Sequence, residues 1–413
     1  MRAHISLLSL TSLASLAFAF AGIRPEAGSG TYDMKLTRTE LFGLISNISL
    51  GTPARDVTVF VDWTWINLYV LDSVCKGVKN AIYDCFPQSQ NFYNESESSS
   101  WQYVNELGQT TWNPNHFFFN DPATVNYARE VIKLGDTTIK AIVQASDFAF
   151  KNPFPFAFWG VFGLSPVFRG DSIQTSYSPF YQGWKQGVWK SPYIAYYWCY
   201  PESGKGTKLC KGSDAIQSLG YYNSSLARGP ITWYDNIDPS TTEVNSVDFI
   251  YEPAVYNYWT LRLTQLKLGN EVQAINQTVV PGVVFDHATY GRGAALSNAA
   301  YANLVQKVNG TAVQLDQKPN NGNQTFYEFD CTLKNALPPI TYTFAGSRRE
   351  WSIIPNNYVV PHPTDNTSCI LDIRVVGEGQ AYEIGNFGET FAKDKYVIFD
   401  FNTLRVGLAD LRW

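Results

Sequence analysis

The chain has 413 residues, of which 45% are hydrophobic and 16% are charged, and its formal net charge is −5. A chain of this length and composition can bury sizeable cores, which argues against intrinsic disorder. The negative charge argues against nucleic acid or an acidic membrane surface as the main partner. The abundant Tyr (25), Phe (26) and Trp (12) residues favour pleated sheets over helices.

The first residues have the pattern of a secretory signal peptide. Arg2 is followed by a mostly apolar run over residues 5–20, and Ala19-Phe20-Ala21 matches the small-residue cleavage pattern. We therefore predict a signal peptide over residues 1–21 and a secreted chain, either extracellular or lysosomal. A membrane anchor is the alternative, but the run is short for a span of roughly 20 residues. No later segment is apolar enough over a sufficient length to cross a bilayer.

Short apolar or alternating segments, separated by Gly, Pro, Asn and Ser, make up most of the remaining chain. Residues 57–61 and 396–399 are typical strand runs. A short helix is predicted within residues 176–186. A second is predicted over residues 297–308, which are rich in Ala and Leu and end at Asn309-Gly310. Spaced strands with few helices predict an all-β barrel or sandwich class.

An apolar run that ends in aspartate occurs twice, and each is followed at a similar distance by an apolar segment that contains glycine. From Asp62 to Gly160 is 98 residues, and from Asp286 to Gly388 is 102 residues. Two β-rich halves with similar internal spacing predict two duplicated lobes. Coincidence is the alternative, because an apolar run before aspartate is a common pattern.

Six cysteines follow the predicted signal peptide, and an even number in an oxidising compartment predicts disulfide bonds. Six cysteines allow about 15 pairings, and we expect nearest neighbours to pair because that closes three local loops. A zinc site is not expected, since there is no C-x-x-C and His116, His287 and His362 are scattered. The expected bonds join Cys75 to Cys85, Cys199 to Cys210, and Cys331 to Cys369.

Seven Asn-x-Ser/Thr sequons are distributed along the chain. Such sequons carry glycans on the surface of secreted proteins, so together they predict a glycoprotein of the secretory pathway. The sequons are at Asn47, Asn94, Asn223, Asn276, Asn309, Asn323 and Asn366.

Five motifs in chain order resemble the pepsin-like aspartic peptidases, and the resemblance covers about residues 42–409. It implies an all-β, bilobal acid-protease fold with two duplicated β-barrel-like lobes and a cleft between them. We expect a short N-terminal segment over residues 22–40, an N-terminal lobe over 41–235 and a C-terminal lobe over 236–413. The motifs are I-S-L-G-T-P at 48–53, V-F-V-D followed by N-L-Y-V at 59–70, F-W-G-V-F-G-L at 158–164, D-H-A-T at 286–289, and F-D with V-G-L-A within 396–409.

The resemblance implies that two aspartates, one from each lobe, face each other and hold one water. Asp62 and Asp286 match those positions and are the candidate catalytic residues. Because two close carboxylates cannot both ionise, the pair shares a proton: one member activates the water and the other protonates the substrate. No metal or cofactor is implied. An aspartate at a strand end is otherwise more often a turn or cap residue.

The residues around both aspartates depart from the family pattern D-T-G. The family glycines let the two loops approach and present backbone N–H groups to the carboxylates, and a side chain there adds bulk and restricts φ and ψ. The family threonine locks the loops through a buried hydroxyl bond that tryptophan or histidine cannot copy. Packing of Trp63 on His287 is a compensating alternative. The altered positions are Trp63, Thr64 and Trp65 in the first loop, and His287 and Ala288 in the second, where Thr289 keeps a hydroxyl.

The substrate-covering hairpin of the family, the flap, is also altered. Counting back from residues 131–135 places Phe118 and Phe119 where the family has Tyr-Gly. Either they line the substrate cleft without the tyrosine hydroxyl, or they simply pack as a strand. Trp159 replaces a family aspartate, and about 20 residues separate the signal peptide from the first strand, fewer than in the family's inhibitory propeptide.

These departures predict a monomeric, secreted peptidase homologue that is impaired in catalysis and binds a peptide or protein in its cleft. The alternatives are an active acid endopeptidase with Asp62 and Asp286 as its catalytic pair, and a structural glycoprotein whose cleft is filled.

Overall fold

The structure, a computed structural model, describes residues 30–38, 44–65, 67–71, 93–107, 110–112, 123–146, 160–168, 177–199, 209–237, 258–275, 281–286, 294–316, 323–362, 365, 367–373 and 386–413. Strands dominate these residues and helices are few and short, which confirms the all-β prediction.

The strands are β1 (Tyr32–Arg38), β2 (Leu44–Leu50), β3 (Arg55–Asp62), β4 (Leu68–Leu71), β5 (Gln102–Tyr103), β6 (Thr110–Trp112), β7 (Ala123–Leu134), β8 (Thr137–Ser146), β9 (Gly160–Gly163), β10 (Tyr193–Trp198), β11 (Ala215–Leu219), β12 (Ala227–Asp235), β13 (Thr260–Leu268), β14 (Glu271–Gln273), β15 (Gly282–Phe285), β16 (Thr311–Asp316), β17 (Asn323–Asp330), β18 (Ile340–Phe344), β19 (Glu350–Ile353), β20 (Val359–Pro361), β21 (Ser368–Leu371), β22 (Asn386–Phe387), β23 (Lys395–Asp400) and β24 (Arg405–Leu411). The α-helices are α1 (Pro179–Lys185), α2 (Asn298–Lys307), α3 (Pro355–Tyr358) and α4 (Glu389–Ala392), and 3₁₀ turns cover Glu95–Glu97, Asn105–Leu107, Ser224–Leu226 and Cys331–Ala336.

Both predicted helices form, and their ends have local causes. The hydroxyl of Ser178 accepts the amide of Tyr181 at the start of α1, with proline in the first turn. The hydroxyl of Ser297 caps α2 in the same way. Asn309, with a φ of 50°, ends that helix in the left-handed conformation that asparagine tolerates. The sequence therefore predicted both helices, and the boundaries of the second helix to within one residue.

One continuous sheet joins strands from both ends of the chain. Its order is β12-β24-β23-β10-β11-β1-β2-β3-β9-β4-β8-β7-β5, with β6 on β7. The C-terminal strands β23 and β24 thus lie between β10 and β12, with Ile194 opposite Phe399. Strand β1, which falls within the expected segment 22–40, pairs with both β11 and β2 and is a central strand of this sheet.

The second half of the chain adds two smaller sheets. A six-stranded sheet has the order β19-β18-β13-β15-β22, with β14 on β13, and a four-stranded sheet has the order β16-β17-β21-β20. Together with the large sheet they build the two-lobed, pepsin-like architecture that the motifs implied.

The internal repeat is present as a pair of parallel strand contacts. Strand β3 runs parallel to β9, and Asp62 lies opposite Gly163. Strand β15 runs parallel to β22, and the amide of Asp286 donates to the carbonyl of Phe387 at 2.9 Å. The residue after Phe387 is Gly388, so the glycine that matches it is Gly163 and not Gly160 as the spacing suggested. From Asp62 to Gly163 is 101 residues and from Asp286 to Gly388 is 102 residues. These spacings agree more closely than the expected 98 and 102 residues.

Gly163 lies where two pieces of backbone almost touch. Its amide donates to the carbonyl of Asn67 at 2.8 Å. A Cβ atom at this position would lie 2.1 Å from the carbonyl oxygen of Trp65 and 2.5 Å from that of Asn67. Glycine is therefore required to bring β9 alongside the turn that follows Asp62.

An aromatic cluster, which we call the Phe399 cluster, joins the two halves beneath both aspartates. The ring of Phe399 stacks on Trp259 at a centroid distance of 4.7 Å and meets the edges of Trp63 at 5.2 Å and Phe285 at 5.7 Å. The indole N–H of Trp259 donates to the carbonyl of Leu164 at 3.0 Å, which links it to the end of β9. These contacts bury large apolar areas and add favourable edge and stacking geometry.

Two of the three expected disulfide bonds are confirmed, Cys199–Cys210 and Cys331–Cys369. The first closes the loop between β10 and β11, and the second ties the end of β17 to β21. Cys75 and Cys85 lie outside the described residues.

The described sequons include exposed asparagines at Asn47, Asn223 and Asn309 and a half-buried one at Asn94. Asn323 begins β17, while Asn276, Asn366 and the predicted signal peptide at residues 1–21 lie outside the described residues. Glycosylation stays a prediction. No helix in the described part of the chain has the length and hydrophobicity to span a membrane.

We predict that Gly163→Ala destabilises the protein by at least about 4 kcal/mol, because the added methyl group overlaps backbone that cannot move away. The measurement is urea or thermal unfolding. Gly346→Ala is the control: its Cβ would have nothing within 4 Å, but its φ is +87°. That variant should lose only about 1–2 kcal/mol. Equal losses in the two variants would contradict the crowding argument.

Candidate active site

Asp62 and Asp286 lie at equivalent places in the two halves. Asp62 is the last residue of β3, and Asp286 directly follows β15. Both are nearly fully buried, at 2% and 3% exposure. The charge of Asp286 acts on the carboxyl group of Asp62, so the fold brings together the two aspartates that the sequence paired.

The pKa of the Asp62 carboxyl is raised from its usual value to about 7. Burial is the largest cause, since it disfavours the charged form, and the nearby charge of Asp286 is the second. Hydrogen bonds from the amide and hydroxyl of Thr64 and from the amide of Trp65 act in the opposite direction. Asp62 is therefore a buried acid that keeps a proton up to nearly neutral pH.

Thr64 supplies two hydrogen bonds to Asp62. Its amide and its hydroxyl both donate to Oδ1 of Asp62, each at 2.7 Å. The side chain of Thr64 is half-buried, and positive φ among the described non-glycine residues occurs only at Lys211, Asn309 and Leu404. The backbone amide that glycine presents in the family pattern is thus also presented here, and the threonine hydroxyl adds a second donor. A threonine two residues after an aspartate is the local signal for such a turn.

Trp63 is fully buried in the hydrophobic core. Its ring meets the edges of Tyr196 at 4.8 Å and Phe399 at 5.2 Å. Its indole N–H donates to Oε1 of Gln217 at 2.8 Å. In place of the family hydroxyl bond, this loop has an indole–amide bond to β11. Sequence reasoning missed Gln217, because it lies 154 residues from Trp63 and belongs to none of the motifs.

Trp65 stands where the family has serine, and it is 8% exposed. Its ring meets the edge of Tyr69 at 5.8 Å. Its carbonyl accepts the amide of Ser165 at 3.2 Å, which fixes the turn against the chain after β9. The side chain of Trp65 therefore adds apolar bulk beside the first loop, while its backbone amide still serves Asp62.

The remaining candidate residues lie outside the described residues. They are His287, Ala288 and Thr289 of the second loop, Phe118 and Phe119 of the expected flap, and Trp159. The flanks of the expected flap are described: β6 and β7 pair antiparallel, with Trp112 opposite Ala123. The flap itself stays a prediction, because residues 113–122 lie outside the described residues.

No group of three or more His, Cys, Asp or Glu residues within the described part of the chain is arranged to hold a metal ion. His362, one of the scattered histidines, is buried, and its Nδ1 accepts the amide of Asp365 at 3.1 Å.

Comparisons with known proteins agree with this geometry. Residues 44–411 match the family model for eukaryotic aspartyl proteases. The chain is 44% identical over 393 residues to the aspartic protease-like protein pynH of Aspergillus niger, covering 92% of both chains. It is 42% identical over 400 residues to the aspartic protease-like protein pytH of Aspergillus terreus, covering 93% and 94%. A probable secreted aspartic protease of Arthroderma benhamiae is 41% identical over 375 residues, covering 88% and 89%.

The raised pKa of Asp62 predicts that stability falls as pH rises. Its contribution is fully present below the unfolded pKa and is lost as pH rises from 3.8 through about 7, because the folded state holds the proton more tightly. The full loss amounts to roughly 4 kcal/mol. Asp62→Asn, which resembles the protonated carboxyl, should match the wild type near pH 4 and be more stable at pH 8.

Thermal unfolding between pH 4 and pH 8 measures this difference. Asp136→Asn, in the exposed turn between β7 and β8, is the control and should leave the pH dependence of stability unchanged. Parallel stability curves for wild type and Asp62→Asn would show that Asp62 does not hold a proton in the folded state.

Proposed function

The chain belongs to the eukaryotic aspartyl protease family, and on that premise we propose that it is a secreted, monomeric protein that binds an extended peptide between its lobes and hydrolyses it slowly. Asp62 and Asp286 are the proposed acid–base pair. No metal, cofactor or nucleic acid takes part. Secretion is supported by the names of relatives such as the probable secreted aspartic protease of Arthroderma benhamiae and the secreted aspartic protease LUC8 of a Fusarium species.

The observation that carries this proposal is the raised pKa of a buried acid beside a second acid. Below about pH 7 the pair holds one proton between two carboxyl groups. The ionised member takes a proton from a water molecule, which attacks the peptide carbonyl carbon, and the protonated member donates to the carbonyl oxygen. The member that took the proton from water then donates it to the leaving nitrogen, and the hydroxyl formed from the carbonyl oxygen returns its proton to the other member as the C–N bond breaks, so the pair again holds one proton.

The hydrogen bonds from Thr64 support a working first loop. Two donors on one oxygen of Asp62 hold the carboxylate in a fixed orientation, as general acid–base catalysis requires.

The raised pKa of Asp62 also extends the pH range in which the pair can act towards neutral pH. A pair that keeps one proton up to about pH 7 should act from acid to nearly neutral conditions.

The slow rate follows from the substitutions around the pair. Trp65 places a large ring where the family has a hydroxyl, and His287 and Ala288 replace the second loop's threonine and glycine. A misplacement of about 1 Å can cost roughly a hundredfold in rate. We therefore place the chain among impaired peptidases, with a rate well below that expected of an intact D-T-G pair.

A second candidate function is peptide binding without hydrolysis. It is favoured by the same second-loop substitutions, since loss of the correct position for Asp286 would leave the cleft but not the chemistry. Under this function the cleft between the lobes would bind an extended peptide, and Asp62 would serve as a buried acid only.

Cleavage of a denatured protein by the purified chain, between pH 3 and pH 8, separates these functions. We expect weak cleavage that is blocked by a statine-type inhibitor and declines with a midpoint near pH 7, because the shared proton is then lost. Asp286→Asn should reduce it at least about a hundredfold, while Asp136→Asn keeps it.

Inhibitor binding without cleavage would support the second candidate. Equal cleavage by the wild type and Asp286→Asn would contradict the proposed pair, because the activity would then come from another source.

A further inference from the structure

Gln217 has a single, fixed orientation in the middle of β11. Its side chain is completely buried. Oε1 accepts the indole N–H of Trp63 at 2.8 Å, and Nε2 donates to the carbonyl of Ala195 on β10 at 3.1 Å. A flipped amide would place its NH₂ group against the indole N–H and its oxygen against the carbonyl of Ala195. Both hydrogen bonds would then be lost. Gln217 therefore fixes the position of the Trp63 indole relative to two strands of the large sheet.

The ring of Trp63 is also confined from its sides. Tyr196 on β10 meets it at an interplanar angle of 84°, and Phe399 on β23 meets it at 69°. These edge contacts limit rotation of the ring, and the bond to Gln217 limits its sliding along the sheet. Since Trp63 directly follows Asp62, a fixed indole restricts the backbone that carries the carboxylate.

A buried indole needs an acceptor wherever it lies, so a bond of this kind can serve stability alone. The indole of Trp351 offers a direct comparison, because its N–H donates to the hydroxyl of Tyr234 at 2.7 Å. That bond is also buried, and it joins β19 of the six-stranded sheet to β12 of the large one. Trp351 is adjacent to neither aspartate, however, whereas Trp63 is bonded to Asp62 through the peptide backbone.

We propose that Gln217 is a positioning residue that acts through the indole of Trp63 to hold the Asp62 turn against the Asp286 turn. This inference rests on the proposed function of the acid pair. It assigns part of that function to a residue that makes no described contact with either carboxyl group.

The charges around this arrangement allow the proposal to be tested by titration. The charged group that acts on Asp62 within the described chain is that of Asp286. The groups that act on the hydroxyl of Tyr196, against which Trp63 packs, are Glu389, Asp214 and Arg38. Gln217 and Trp63 carry no charge themselves. A changed titration of Asp62 after substitution of Gln217 therefore reports a changed geometry and not a lost charge.

The test compares Gln217→Met, which keeps length and loses the acceptor, with Tyr234→Phe, which removes the acceptor of Trp351. We expect similar losses of melting temperature. Only Gln217→Met should lower the pH midpoint of the stability curve, by about one unit, because the two acids separate. The kcat for peptide hydrolysis should fall about tenfold to a hundredfold with KM nearly unchanged. The reason is that a misplacement of a catalytic group by about 1 Å can lower the rate roughly a hundredfold.

Each outcome decides the matter. The positioning role would be overturned if the stability curves of Gln217→Met, Tyr234→Phe and wild type had the same pH midpoint. It would also be overturned if the curve of the wild type had no midpoint near pH 7. If the wild type shows no turnover but Gln217→Met still shifts the midpoint, the positioning role stands and the proposed hydrolysis fails. If Gln217→Met does not fold, Gln217→Asn, whose amide is too short for the indole, provides the same test.

Discussion

Two buried carboxyl groups that face each other repel, so a fold that keeps them together must hold both turns from outside the pair. In this chain the holding contacts lie beneath the turns, in the Phe399 cluster. Trp63 follows Asp62 and Phe285 precedes Asp286, and both rings meet Phe399. The residue next to each aspartate therefore packs on the same aromatic ring of β23. The site therefore depends on the packing of this C-terminal strand.

The first loop shows how a departure from a family pattern can keep the essential contacts. A glycine is lost at Thr64, yet its amide and hydroxyl both reach Asp62. A buried threonine hydroxyl is lost at Trp63, yet its indole finds Gln217. Beside the first loop, a tight backbone approach that requires glycine lies at Gly163, where an added Cβ would be 2.1 Å from the carbonyl oxygen of Trp65.

Much of the fold could be predicted from the sequence because it is encoded locally or by repetition. The apolar runs before Asp62 and Asp286, the serine caps and the paired cysteines are all short-range signals. The glycine matched to Gly388 was chosen three residues too early, since the motif contains two glycines and only the pairing of β3 with β9 selects Gly163. Gln217 could not be predicted, because a partner 154 residues away in an ordinary strand leaves no pattern in a single sequence.

The central claim is that Asp62 keeps its proton because its carboxyl group is buried and because Asp286 lies beside it. The most direct measurement is a ¹³C NMR titration of the aspartate side-chain carboxyl carbons in the wild type and in Asp286→Asn. The account predicts an Asp62 titration near pH 7 in the wild type that moves to a lower pH when the charge of Asp286 is removed. An Asp62 signal that titrates at the ordinary aspartate pH in both proteins would contradict it.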